Sequence, residues 1–215
     1  VDLFCHLLFY YWFDCHSGVN TMENSYEEGR LLLINKPLEW TSFDVVKKLR
    51  NTIKVKKIGH AGTLDPLATG LLIIGTGKFT KKLHELQGLD KSYEGILEIG
   101  KTTPSYDLET EFDSEIDWSK VTDELIEEAK NKAVKLEPRQ VTIHEFILDF
   151  SALPEIKFKV SCSKGTYIRS LVHDFGQKIG TGAYLKKLVR TSVGEYNLSS
   201  AHELNEFIKQ HHEGN

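Results

Sequence analysis

The chain has little of what would tie it to a membrane, a metal or an oxidising compartment. Its 215 residues include three cysteines, Cys5, Cys15 and Cys162. They form no pairwise framework and no close metal-binding spacing, so a reducing, cytoplasmic setting is expected. The nine histidines form no HExxH and no Cys–His ligand pair, and no metal is expected. "GTGK" at Gly75–Lys78 has its first glycine out of place for a phosphate loop, and Phe79 stands where a magnesium-binding hydroxyl belongs. "GTGAYL" at Gly180–Leu185 lacks the third glycine of a dinucleotide fingerprint, so no cofactor is expected either. The apolar run from Leu3 to Phe13 is too short to span a bilayer. A basic region and a small-residue cleavage site, the marks of a signal peptide, are also missing. With a formal net charge of −4 the chain has no global basic signature. A nucleic-acid role has to rest on local patches.

Internal repeats, low-complexity segments and an interdomain linker are absent too, so one domain is expected. The single methionine, Met22, follows a stretch that reads unlike the rest. Residues 1–21 are therefore expected to be an upstream extension, with residues 22–215 forming the catalytic domain.

What is present reads as α+β with a mixed, mainly antiparallel sheet. "LLLIN" at Leu31 is a short apolar run stopped by "KP", a strand and a turn. Thr41 or Ser42 can cap a helix that turns Val45, Val46, Leu49 and Ile53 inward. "SYEGILEIG", "VTIHEFILDF" and "EIKFKVSCS" alternate as strands, and Thr122 caps a helix through Leu125, Ile126 and Ala129. "TYIRSLVHDFGQKIG" puts Ile168, Leu171, Val172, Phe175 and Ile179 on one helical face ended by Gly180. A short helix is expected around "AYLKKLVR", then a strand near "VGEYNL" and a last helix opened by Ser199 or Ser200.

One acid stands out. In "GHAGTLDPLATGLLIIGTGK", running from Gly59 to Lys78, Asp65 lies between a leucine and a proline among small and apolar residues. Asp before Pro is a common turn and helix-start pair, and Pro66 suits a first helical position. The same acid could be a nucleophile held where a substrate must come to it, since Pro66 restricts it to extended geometry. Basic residues crowd on both sides. Lys47, Lys48, Arg50, Lys54, Lys56 and Lys57 precede the loop, Lys78, Lys81 and Lys82 follow it, and Lys186, Lys187 and Arg190 form a third group. They read as a solvated face or as charge that neutralises a phosphate backbone.

"GHAGTLDPLATGLL" resembles the catalytic motif of the TruB family of tRNA pseudouridine synthases, which act on the T-loop uridine. "LLLINKPLEWTSFDVV" is similar to its first element, "KSYEGILEIGKTTPSYDLET" to its second motif, "VSCSKGTYIRSLVHDFG" to its third, and "LVRTSVGEYNL" to its closing segment. The resemblance implies an enzyme without cofactor, working on the T-arm of tRNA as a monomer. It implies Asp65 as nucleophile, Tyr93 stacked on the target base with Tyr167 beside it, and Arg169 paired with Asp65 through a bidentate fork. His60 would pack against the displaced T-loop and Lys36 would support the catalytic loop. Gly62 and Thr63 would line the substrate site, with Lys186 and Arg190 contacting RNA. The chain also departs from the family. The small C-terminal RNA-binding domain of many members is not seen, and the "thumb" segment between about 129 and 141 looks deleted. A catalytically impaired RNA-binding or tRNA-folding protein of the same fold is the alternative.

Overall fold

The computed structural model describes residues 26–134 and 141–212. The expected extension over residues 1–21 lies outside the described residues, as does most of the junction where the thumb is expected to be missing.

Strand β1 (Leu31–Lys36) leads through the "KP" turn into α1 (Ser42–Ile53). Thr41, not Ser42, is the cap. Its hydroxyl accepts from the Asp44 N–H, and the Asp44 carboxylate accepts from the Thr41 N–H, a reciprocal box that satisfies two orphan donors. Next come β2 (Ile58–His60), the Asp65 turn and β3 (Ala68–Thr76). A 3-10 turn and α2 (Leu83–Gln87) connect to β4 (Lys91–Ile99). A small ribbon of β5 (Lys101–Thr102) and β6 (Ser114–Glu115) precedes α3 (Asp123–Ala133). Strands β7 (Ile143–Ala152) and β8 (Glu155–Cys162) form a hairpin that leads to α4 (Ile168–Ile179). The chain ends with β9 (Ala183–Val193), β10 (Tyr196–Asn197), β11 (His202–Glu203) and α5 (Leu204–His212).

The main sheet runs β11-β1-β3-β9-β4-β8-β7. Most neighbours are antiparallel; β3–β9 and β1–β11 are parallel. The expected α+β class and mainly antiparallel sheet are what the chain forms. Helices α3 and α4 cover one face of the β9-β4-β8-β7 half, around Phe175, Leu97, Ile156 and Phe158. The β1-β3 half is packed on both faces. Leu72 and Ile74 meet α1 and α5, while Leu71 and Ile73 meet Leu83 and Val193 on the other side. That explains the unbroken apolar run of β3, since a strand buried on both faces loses its alternation.

Three local expectations need correcting. No helix follows Pro66. The Ala68 N–H closes a turn on the Asp65 carbonyl (3.1 Å) and the chain enters β3. "AYLKKLVR" is strand, not helix. In β9 the pairing with β4 skips Lys186 opposite the step from Ile96 to Leu97, and Thr191 opposite the step from Ser92 to Tyr93. Each skipped residue is a bulge that breaks the two-residue period. The last helix starts at Leu204, because Leu198–Ser200 form a 3-10 turn instead. Among the described residues, no helix is long and apolar enough to cross a membrane.

Candidate active site

Asp65 occupies the turn between β2 and β3, and the backbone on both sides of it is held. The Leu64 N–H donates to the Ser42 hydroxyl (2.9 Å), which donates back to the Leu64 carbonyl (3.2 Å). The Pro66 carbonyl accepts from the Glu39 N–H (2.9 Å) and from the Lys36 ammonium (3.1 Å). Lys36 is fully buried and also donates to the carbonyls of Pro37 (2.9 Å) and Trp40 (2.5 Å). It thus ties the first turn to the Asp65 loop. Burial brings its pKa down from 10.5 to about 8, with Asp65 opposing the fall.

From the far end of the chain, α4 delivers Arg169. Its Nε lies 2.9 Å from Asp65 Oδ2, with both side chains partly exposed. The fork is not bidentate to one carboxylate. Arg169 Nη1 instead donates to the Ser105 carbonyl (3.3 Å) and lies 3.6 Å from Asp107 Oδ2. Asp107 is buried, and its other oxygen accepts from the Glu109 N–H (3.0 Å). The guanidinium is therefore held from two sides, which fixes the plane it presents to Asp65. Sequence reasoning passed over Asp107, although it lies inside "KSYEGILEIGKTTPSYDLET". The acids that surround it there gave no local reason to single it out.

Beside the pair opens a cleft of about 540 Å3 lined by His60, Gly62, Thr63, Asp65, Tyr93, Tyr167 and Arg169, among others. That size accommodates a small-molecule group. Tyr93 is buried on β4, and burial raises its pKa despite the Arg190 charge beside it, so it stays a neutral phenol. Tyr167 stands at the entrance, 65% exposed. The pKa of His60 is lowered, by burial first and then by Arg190, which leaves a neutral ring at pH 7. Its Nδ1 is buried without a hydrogen-bond partner among the described residues.

The two cations expected to contact RNA from β9 are placed differently from one another. Lys186 does not line this cleft; its ammonium is held by Glu98 (2.9 Å) and Glu155 (2.5 Å), which raise its pKa. Arg190 does border the cleft, but it is 1% exposed and spends its donors on main-chain carbonyls. The bulges turn these two side chains away from the common surface that spacing alone suggested.

The chain that carries this pair has counterparts among known proteins. Residues 50–133 match the TruB family pseudouridylate synthase (N terminal domain), and residues 169–214 match the tRNA pseudouridylate synthase B C-terminal domain. The tRNA pseudouridine synthase B of Flavobacterium johnsoniae is 45% identical over 219 aligned positions, covering 85% of this chain and 96% of its own.

The chain belongs to the TruB family of pseudouridylate synthases.

The family's isomerase class follows with it. A more distant member, the tRNA pseudouridine synthase B of Chlorobium chlorochromatii, is 37% identical and covers 92% of this chain and 91% of its own. Among solved structures, the archaeal box H/ACA sRNP Nop10-Cbf5 complex superposes with a TM-score of 0.71 at 25% identity, over 90% of this chain. This TruB-family chain spans 56% of that archaeal chain. An H/ACA RNP bound to a substrate RNA containing 2'-deoxyuridine shares the fold, with a TM-score of 0.72 at 23% identity.

Proposed function

We propose that this enzyme converts the T-loop uridine of tRNA to pseudouridine, with Asp65 as the nucleophile. The Asp65–Arg169 pair on the cleft wall carries this reading. The reaction breaks the N1–C1′ bond and joins C1′ to C5, while a proton leaves C5 and N1 gains one, so product and substrate are isomers. Attack at C1′, attack at C6 and removal of the C2′ hydrogen all require an anion at the sugar–base junction. Arg169 favours the ionised carboxylate by its charge and by the hydrogen bond to it. The uridine has to leave its stack to reach that anion, and Tyr93 and Tyr167 offer aromatic surfaces to receive it.

Charge supports a phosphate-bearing substrate. Lys36, Lys91 and Arg190 are buried beside the cleft, and each donates to main-chain carbonyls. With Arg169 they outnumber Asp65 and Asp107, leaving an excess of positive charge for an anion.

The second reading, an RNA-binding or RNA-folding protein of the same fold, is favoured by one observation. The alignment with the Flavobacterium relative runs over 219 positions, more than 85% of a 215-residue chain can fill. We infer that the thumb segment between about 129 and 141 is absent. Its loss removes a grip on the T-loop. The two readings separate when the chain is incubated with an unmodified tRNA transcript and pseudouridine is mapped. Product that vanishes in Asp65→Asn supports the enzyme; salt-sensitive binding without product supports the folding protein.

A further inference from the structure

Arg190 is the largest of the fully buried side chains, and it lies under the loop that carries Asp65. Its Nε donates to the Leu71 carbonyl (2.8 Å), Nη1 to the Thr63 carbonyl (3.2 Å) and Nη2 to the Gly62 carbonyl (3.1 Å). Gly62 and Thr63 form the incoming stem of the catalytic turn, and Leu71 belongs to the outgoing one. A single planar fork therefore sets the separation of the two stems.

The main chain reinforces this. Gly70 pairs with Arg190 in the parallel β3–β9 ladder, and its φ is +103°. A Cβ there would lie 2.4 Å from the Arg190 carbonyl oxygen, so only glycine permits the approach. On the other side Arg190 pairs with Tyr93, at the step where β9 bulges at Thr191. Bulges commonly re-aim a side chain next to an active site.

We propose that Arg190 is a positioning residue for the isomerisation, clamping both stems of the Asp65 turn, and not a contact to the RNA backbone. The inference rests on the reading of Asp65 as the reacting acid. Misplacing a reacting group by about 1 Å costs on the order of 100-fold in rate. A phosphate contact, by contrast, would change affinity and its salt dependence.

The test compares Arg190→Lys and Arg190→Met with the parent chain, using an unmodified tRNA transcript. Single-turnover rate and tRNA affinity are measured across a salt series. In Arg190→Met the rate is expected to fall about 100-fold, with affinity within about twofold and the log–log salt slope unchanged. Arg190→Lys keeps the charge but not the fork, and is expected to recover only part of the rate. A slope reduced by about one with the rate intact, restored by Arg190→Lys, would overturn the proposal. Hydrogen exchange over residues 61–71 gives a readout independent of turnover. Faster exchange there in both variants, with the remaining protection retained, is expected even if the parent makes no product. Unchanged exchange over 61–71 would sink the clamp. If Arg190→Met does not fold, the Arg190→Lys arm decides alone.

Discussion

The two ends of β9 treat positive charge in opposite ways. At one end Lys186 stands on the surface between Glu98 and Glu155. At the other, four residues on, Arg190 is buried against carbonyl oxygens. A cation paired with carboxylates is neutralised where it stands, and exposed pairs of this kind contribute little. A cation held by carbonyls keeps its charge, and its hydrogen bonds fix the backbone that supplies those carbonyls. Lys36 and Lys91 follow the Arg190 pattern, and all three buried cations border the Asp65 turn or its cleft. The contrast separates charge that organises the backbone of a turn from charge that decorates a surface.

The sharpest test of this contrast begins at the turn itself. Asp65→Asn keeps the shape of the loop but loses the anion, and product formation should fall on the order of 1,000-fold or more. tRNA affinity should be nearly unchanged by filter binding. Lys36→Met comes next. It takes the ammonium from the Pro37 and Trp40 carbonyls and leaves Pro66 with only the Glu39 N–H, and urea unfolding should report a loss of about 2–4 kcal/mol together with a lower rate. Asp107→Asn removes one of the two carboxylates that hold Arg169. A drop in kcat of about tenfold at constant KM is expected from an interaction felt in the transition state. Lys186→Ala should do least. Its melting temperature should stay within the change produced by about 1 kcal/mol, and tRNA affinity should keep its salt slope. A large loss of activity in Lys186→Ala would break the comparison.

Lys36 also makes the comparison depend on pH. Folded, it gives up its proton near 8, and in the unfolded chain near 10.5. Between those values the unfolded state binds more protons, so stability rises with pH across that window. Activity should move the other way. A neutral amine has two donors for three carbonyls, so the rate should bend downward above about pH 8. A pH–rate profile flat to pH 10 would show that the carbonyls retain the proton.

Much of this was legible in the residues. The apolar run of β1, the alternation of β4 and β8, the Thr122 cap and the Gly180 stop each mark an element by local chemistry, and each element formed. The resemblance carried by the string around Asp65 and by the segment holding Arg169 implied the pair that meets at 2.9 Å. What escaped lay in tertiary pairing. Adjacent Lys186 and Lys187 hid a strand, because a bulge has no signature apart from the partner that skips it. Arg190 looked like surface charge because nothing local to "LVRTS" announces carbonyls supplied from Gly62, Thr63 and Leu71. Asp107 needed the position of Arg169 before its role could be seen.

The place of β9 in the sheet has a consequence for biosynthesis. It is inserted between β3 and β4, two strands made long before it. Until it emerges from the ribosome, those strands have no main-chain bridge to each other, and the Gly62, Thr63 and Leu71 carbonyls have no guanidinium to meet. The nascent chain thus carries Asp65 in an unclamped loop until β9 has been made. The Asp65 loop is closed only by a strand laid down long after it.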